Sequence, residues 1–230
     1  MPPKWSAPSS TIQKELVIMS DVATFNAHPT VAVQAESPLA ISRITVATLN
    51  TAQGAGVCVR EHALLGHLIL RGNAADEGFR AGVEVALGLP LPLKMGLVSR
   101  DAERGVSVQW MSPDEWLIVV PQGEDYATEV RLREALSGHY AVMQVSGAQT
   151  VLELSGPSAL AVLMKSAGYD FHPRNFPVGK GVSTTLAKST AVIRRVGDAQ
   201  WELIIRRSFA DYLYRWLLDA SEEYGVFVAR

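Results

Sequence analysis

The residues able to do chemistry in this 230-residue chain are few and scattered. Its five histidines are His28, His62, His67, His139 and His172. His62 and His67 stand five apart, which suits neither one face of a helix nor one face of a strand. No His-Glu-x-x-His occurs, and the single cysteine, Cys58, excludes thiolate-rich zinc sites and an intrachain disulfide. No Gly-x-Ser-x-Gly elbow presents a serine nucleophile. Gly54-Ala55-Gly56 opens like a dinucleotide fingerprint, but Val59 replaces the third glycine and no long helix follows. Gly179-Lys180-Gly181 has the look of a phosphate loop. Arg174 stands where its first glycine belongs, and Gly181 where Ser or Thr would hold magnesium. A surface turn is the expectation there. No catalytic group, cofactor site or metal site is expected in this chain.

Two segments are polar where a plain core would not require it. One is the proline-stiffened run from Phe171 through His172, Arg174 and Phe176 to Gly179. The other is Arg206-Arg207-Ser208-Phe209. Arginine and aromatic residues on preorganised loops are favoured anchors at protein interfaces. The sequence therefore nominates Phe171, His172, Arg174, Phe176, Arg206, Arg207 and Phe209 as a partner surface, with a rigid loop and a solvated arginine pair as the plain alternative. Paired arginines also grip carboxylates and phosphates by forked hydrogen bonds, so a small anion is the alternative ligand.

Composition agrees with a soluble, cytoplasmic globular protein. Apolar residues make up 48% and charged residues 19%, an ordinary balance for a chain that buries a core. A net charge of −2 argues against a broad nucleic-acid or anionic-membrane surface. No apolar run reaches membrane-spanning length, and residues 1–20 lack the layout of a signal peptide.

The elements that must position these residues are duplicated. Leu70-Arg71-Gly72 precedes Trp116-Leu117-Ile118, and Leu154-Ser155-Gly156 precedes Trp201-Glu202-Leu203. Glycine and tryptophan are 44 residues apart in the first copy and 45 in the second. A helical stretch follows each glycine and each tryptophan strand. Glu77–Leu87 reads as a helix stopped by Gly88, with Pro90 and Pro92 beyond. Strands are expected over 39–46, 56–59, 65–70, 106–110, 116–120, 150–154, 182–186, 190–196 and 202–205. Further helices are expected over 126–136 and 158–167, the latter packing Leu160, Leu163, Met164 and Ala167 inward. A last helix capped by Ser208 presents Tyr212, Leu213, Trp216, Leu217, Ala220 and Tyr224 on one face. The fold class is α+β: two duplicated split βαβ, ferredoxin-like units whose antiparallel sheets are covered by helices. The divisions are an irregular proline-rich arm over 1–38, a first unit over 39–144 and a second over 145–230.

The chain resembles a known family. Thr150-Val151-Leu152-Glu153-Leu154-Ser155-Gly156-Pro157, Phe171-His172-Pro173-Arg174, Phe176-Pro177-Val178-Gly179 and Glu202-Leu203-Ile204-Ile205-Arg206-Arg207-Ser208-Phe209-Ala210-Asp211-Tyr212 look like the gamma subunit family of heterotetrameric sarcosine oxidase. Ala86-Leu87-Gly88-Leu89-Pro90-Leu91-Pro92 and Pro113-Asp114-Glu115-Trp116-Leu117 match it in the first half. The resemblance runs from about Glu36 to Gly225. It implies a fold like the folate-binding architecture of aminomethyltransferases. It also implies a non-catalytic subunit of a flavoenzyme that converts sarcosine to glycine, hydrogen peroxide and formaldehyde or methylenetetrahydrofolate. The implied partners are alpha, beta and delta subunits, which carry FAD, FMN, NAD, tetrahydrofolate and zinc. A free-standing folate-binding or aminomethyltransferase-like protein is the competing expectation.

Overall fold

Two strands, Glu115–Val120 and Gln200–Arg206, are buried along nearly their whole length and show no polar alternation. A strand reads this way when both faces of its sheet are covered. The computed structural model, which describes residues 35–40, 42 and 54–229, shows how each face is covered. Among the described residues 54–229, eleven strands and four α-helices occur in the order β1 (Val57–His62), β2 (Gly66–Arg71), α1 (Glu77–Leu87), β3 (Val98–Asp101), β4 (Val106–Ser112), β5 (Glu115–Val120), α2 (Asp125–Ala135), β6 (Ala141–Gln144), β7 (Gln149–Ser155), α3 (Ala159–Ser166), β8 (Gly181–Leu186), β9 (Ser189–Gly197), β10 (Gln200–Arg206), α4 (Ala210–Ser221) and β11 (Val226–Ala229).

The strands form a five-stranded sheet, β3-β4-β5-β2-β6, and a six-stranded sheet, β8-β9-β10-β7-β1-β11. The pattern β2-α1-β3-β4-β5-α2-β6 is thus repeated as β7-α3-β8-β9-β10-α4-β11, and β1 is an extra strand inserted between β7 and β11. Every pairing is antiparallel except β1 with β11. Register is repeated as well. Leu70 faces Trp116 across β2 and β5, and Leu154 faces Trp201 across β7 and β10. Gly72 N–H donates to Asp114 O at 3.1 Å and Gly156 N–H to Ala199 O at 3.0 Å, so each glycine closes its sheet on the turn of the neighbouring hairpin. Gly156 has φ +110°, and a Cβ there would stand 2.6 Å from Gly56 O, so no other residue fits without strain.

Helices cover the outer face of each sheet. Phe79, Val83 and Leu87 of α1 and Leu132 of α2 pack with Leu70, Trp116 and Ile118. Val162 and Leu163 of α3 and Leu213, Tyr214 and Leu217 of α4 pack with Leu154, Trp201 and Leu203. The inner faces meet through Leu117, Val119, Val151, Val192 and Ile204. Four layers result, helix–sheet–sheet–helix. Equivalent segments of the two copies touch across the seam: Val98 N–H donates to Gly179 O at 3.2 Å and Gly181 N–H to Gly96 O at 2.9 Å. This reciprocity is the signature of a self-complementary, two-fold contact, here within one chain.

Several local expectations change. Three strands, β3, β6 and β11, were not foreseen; all are short and only partly buried. Residues 40 and 42 are helical, so the strand expected over 39–46 is not present there; residues 43–46 lie outside the described residues. In α3 the inward stripe is Ala159, Val162, Leu163 and Ser166, and Met164 is 60% exposed. A shift of one position rotates the helix face by about 100°. Helix α4 begins after Phe209 without a side-chain cap, so Ser208 does not cap it, and Tyr212 is exposed.

Candidate functional site

β10 runs from one end of the six-stranded sheet to the other, and the two nominated segments lie at its opposite ends. Trp201 near its start is about 17 Å from Arg206 at its finish, at 3.3 Å per residue. The segments therefore do not form one patch.

At the Trp201 end, Phe171 and Phe176 are fully buried. Phe171 meets the Trp201 ring edge-on at 5.6 Å between centroids, and Phe176 meets it at 5.2 Å. Tyr169 joins the cluster. The prolines stiffen this run so that its aromatic residues fold inward as core. This corrects the expectation that Phe171 and Phe176 face a partner. His172 and Arg174 between them remain exposed. Arg195 N–H groups donate to Phe176 O at 2.9 Å and Asp198 O at 2.8 Å, tying the loop to the β9–β10 turn.

At the other end, β10 finishes at Arg206, and a short 3-10 turn over Arg207–Phe209 leads into α4. Arg206, Arg207, Ser208 and Phe209 are all exposed. Arg207 Nη1 donates to Glu36 O at 3.3 Å. Asp211, the acidic residue nearest in sequence, accepts from Ser42 at 2.5 Å and Arg215 at 3.0 Å, which together hold its carboxyl below the usual range. An open groove of about 770 Å³ lies here, where the crossing from β6 to β7 passes the end of β10. Pro38, Ile69, Val145 and Ala148 supply apolar lining; Gln149, Arg206 and Arg207 supply the polar part.

Between the sheets lies a polar layer that sequence reasoning missed. Arg194 is 2% exposed; it donates to Glu202 Oε2 at 2.6 Å and Ser107 at 2.8 Å. Arg100 reaches across to Glu202 Oε1 at 2.6 Å. Burial alone would raise the Glu202 carboxyl, but the fields of Arg194 and Arg100 hold it below the ordinary value. His67 is fully buried; its Nδ1 donates to Leu65 O at 3.0 Å, and its Nε2 finds no partner among the described residues. Burial pushes this imidazole down to about 4. His62 bonds Glu153 at 2.8 Å and draws that carboxyl down to about 2. Arg194, Arg100 and Glu202 hold one another, as do His62 and Glu153, whereas the His67 ring is held through the Leu65 carbonyl. They are visible in sequence only as charged residues within strands, which suggest a wet face.

Among the described residues, no three His, Cys, Asp or Glu side chains gather as metal ligands. Nor is any helix among them long and apolar enough to cross a membrane. The arrangement is a four-layer frame with an exposed, arginine-lined groove at the Arg206 end of β10.

Comparison with known proteins gives these surfaces a context. The model of the sarcosine oxidase, gamma subunit family matches residues 71–223. A sarcosine oxidase subunit gamma from Corynebacterium sp. (strain P-1) is 38% identical over 170 residues, 74% of this chain and 82% of that one. Its counterpart from Corynebacterium sp. (strain U-96) is 35% identical over 183 residues, 78% of this chain and 87% of that one. Among solved structures, heterotetrameric sarcosine oxidase from Corynebacterium sp. U-96 contains a chain matching at a TM-score of 0.75 and 33% identity, over 83% of this chain and 96% of that chain. Aminomethyltransferase T of the glycine cleavage system from Bartonella henselae shares the fold at a TM-score of 0.56 and 19% identity, over 76% of this chain and 48% of that one.

Proposed function

This chain belongs to the sarcosine oxidase gamma subunit family, and from that premise we propose that it is the gamma subunit of a heterotetrameric sarcosine oxidase. The observation that carries this reading is the match, at a TM-score of 0.75, to 96% of a chain from such a complex. The chain is then part of an oxidoreductase without supplying its reacting groups. The complex oxidises the N-methyl group of sarcosine with oxygen and water, giving glycine, hydrogen peroxide and formaldehyde, the last captured as methylenetetrahydrofolate when the folate is present. The alpha, beta and delta subunits hold FAD, FMN, NAD, the folate and zinc, and the assembly is cytoplasmic. This chain contributes a preorganised surface that docks on them. His172, Arg174, Arg206, Arg207 and Phe209 are its exposed anchors. Rigid presentation lowers the ordering cost of association.

Co-expression of the other three subunits with and without this chain tests the proposal. The expected result is a several-fold lower yield of active, flavin-loaded complex in its absence. Partner subunits that assemble with full activity and thermal stability without it would contradict the proposal.

A further inference from the structure

We infer that the groove at the end of β10 is the docking site for an extended segment of a partner subunit that carries an Asp or Glu carboxylate beside apolar side chains. The inference rests on the subunit reading above and names the chemistry of the contact.

Charge complementarity selects this occupant. Arg206 and Arg207 line the groove, and no Asp or Glu is among the described residues that line it. Among those residues Arg206 makes no ion pair, and Arg207 uses a single N–H on Glu36 O. Gln149 stands directly opposite Arg206 in the β7–β10 register, so their side chains share the face that meets the other sheet. The Gln149 Oε1 atom is buried without a hydrogen-bond partner among the described residues. Pro38, Ile69 and Val145 offer apolar contact beside the two guanidinium groups. Guanidinium forks bind carboxylates bidentately, which fixes orientation as well as attraction.

The first copy provides an internal control. Trp116 and Trp201 are equivalent, so Pro121, Gln122 and Gly123 occupy the places of Arg206, Arg207 and Ser208. Helix α2 starts at Asp125 and α4 at Ala210, the matching position. The strand-to-helix junction therefore forms without arginines. The junction does not require the pair: Arg207 spends one N–H on Glu36 O, and the other guanidinium donors are left over.

The test uses the co-expressed complex with a tagged gamma chain. The wild-type complex is compared with Arg206→Glu/Arg207→Glu, with the milder Arg206→Gln/Arg207→Gln, and with Gln122→Glu in the first copy. Retained partner subunits are quantified against salt, and the melting temperature of each isolated chain is recorded. The expected result is at least a ten-fold loss of partner affinity for both arginine double variants, a shallower salt dependence for the Gln pair, and no change for Gln122→Glu. Melting temperatures should stay within a few degrees of wild type, a small surface effect. Undiminished retention of partners by both folded arginine variants would overturn the groove assignment while leaving the subunit reading intact. Absence of partners on the wild-type chain would overturn both. Saturable stabilisation of the isolated chain by low inorganic phosphate would mark a free-anion site and overturn the partner segment.

Discussion

The two copies of the repeat share strand order, register and the glycine-to-hairpin bond, yet their inner faces differ. Where the first copy pairs Gln109 with Leu117 across β4 and β5, the second pairs Arg194 with Glu202 across β9 and β10. Where the first buries His67, the second buries Val151. Only the second copy takes in β1. The outer, helix-covered faces are both aromatic and aliphatic. Packing against helices is thus the conserved half of the design. The inner face is where the copies specialise, one bringing ions and the other their neutral counterparts. A buried ion pair is weak evidence for stability, but breaking it is expensive because one charge is left stranded.

Glu202→Leu should destabilise the chain most. It leaves Arg194 buried without its carboxylate and should cost about 4 kcal/mol in denaturant unfolding. Adding Arg194→Gln installs the first copy's pair in the second, and most of that loss should return, because the two sites act as a unit. A double variant as unstable as Glu202→Leu alone would show that the copies are not interchangeable at this register.

Phe176→Ala should cost about 3–4 kcal/mol, the usual range for a fully buried aromatic side chain, and should lower the melting temperature. Exposed side chains such as Arg206 and Arg207 lack this effect. A change below ~1 kcal/mol would return Phe176 to the surface.

His67 gives a milder, pH-dependent contrast. Its folded value of about 4 lies below the unfolded 6.5, so the unfolded chain takes up a proton that the fold refuses. The stabilising effect of a neutral His67 is complete above pH 6.5 and falls away as pH drops to about 4, by about 3 kcal/mol in all. His67→Val, copying the second copy's Val151, should flatten stability across that window. The His62–Glu153 pair acts lower. The Glu153 carboxyl, about 2 in the fold against 4.5 unfolded, adds stability above 4.5 that is lost on acidifying toward 2. A His67→Val profile identical to wild type between pH 4 and 6.5 would contradict the burial argument.

Much of this frame was legible in the sequence, and for physical reasons. Gly72, Gly156, Trp116 and Trp201 are positions where a small or a very large side chain is demanded, so their spacing exposed the duplication. The helix Glu77–Leu87 announced its end through Gly88, which adopts φ 70° as its cap. Short strands such as Ala141–Gln144 carry little pattern of their own and exist because a neighbour pairs with them. β1 could not be assigned to the second copy's sheet, since its partners β7 and β11 are distant in sequence. Proline between polar residues around Phe171 and Phe176 signalled rigidity correctly, but rigidity does not say which way a ring points. Arg206, Arg207 and Phe209 stood out by type and are exposed; the groove beside them depends on Pro38, Ile69 and Val145 from three separate stretches. Only folding brings those together.

The proposed role is that of a docked subunit of a flavoenzyme. Gentle purification of the tagged chain from its native cells, followed by a visible absorption spectrum and a subunit gel, tests it most directly. The expected product is a yellow complex containing larger partner subunits in fixed proportion to this chain. A colourless, single-chain product would contradict it.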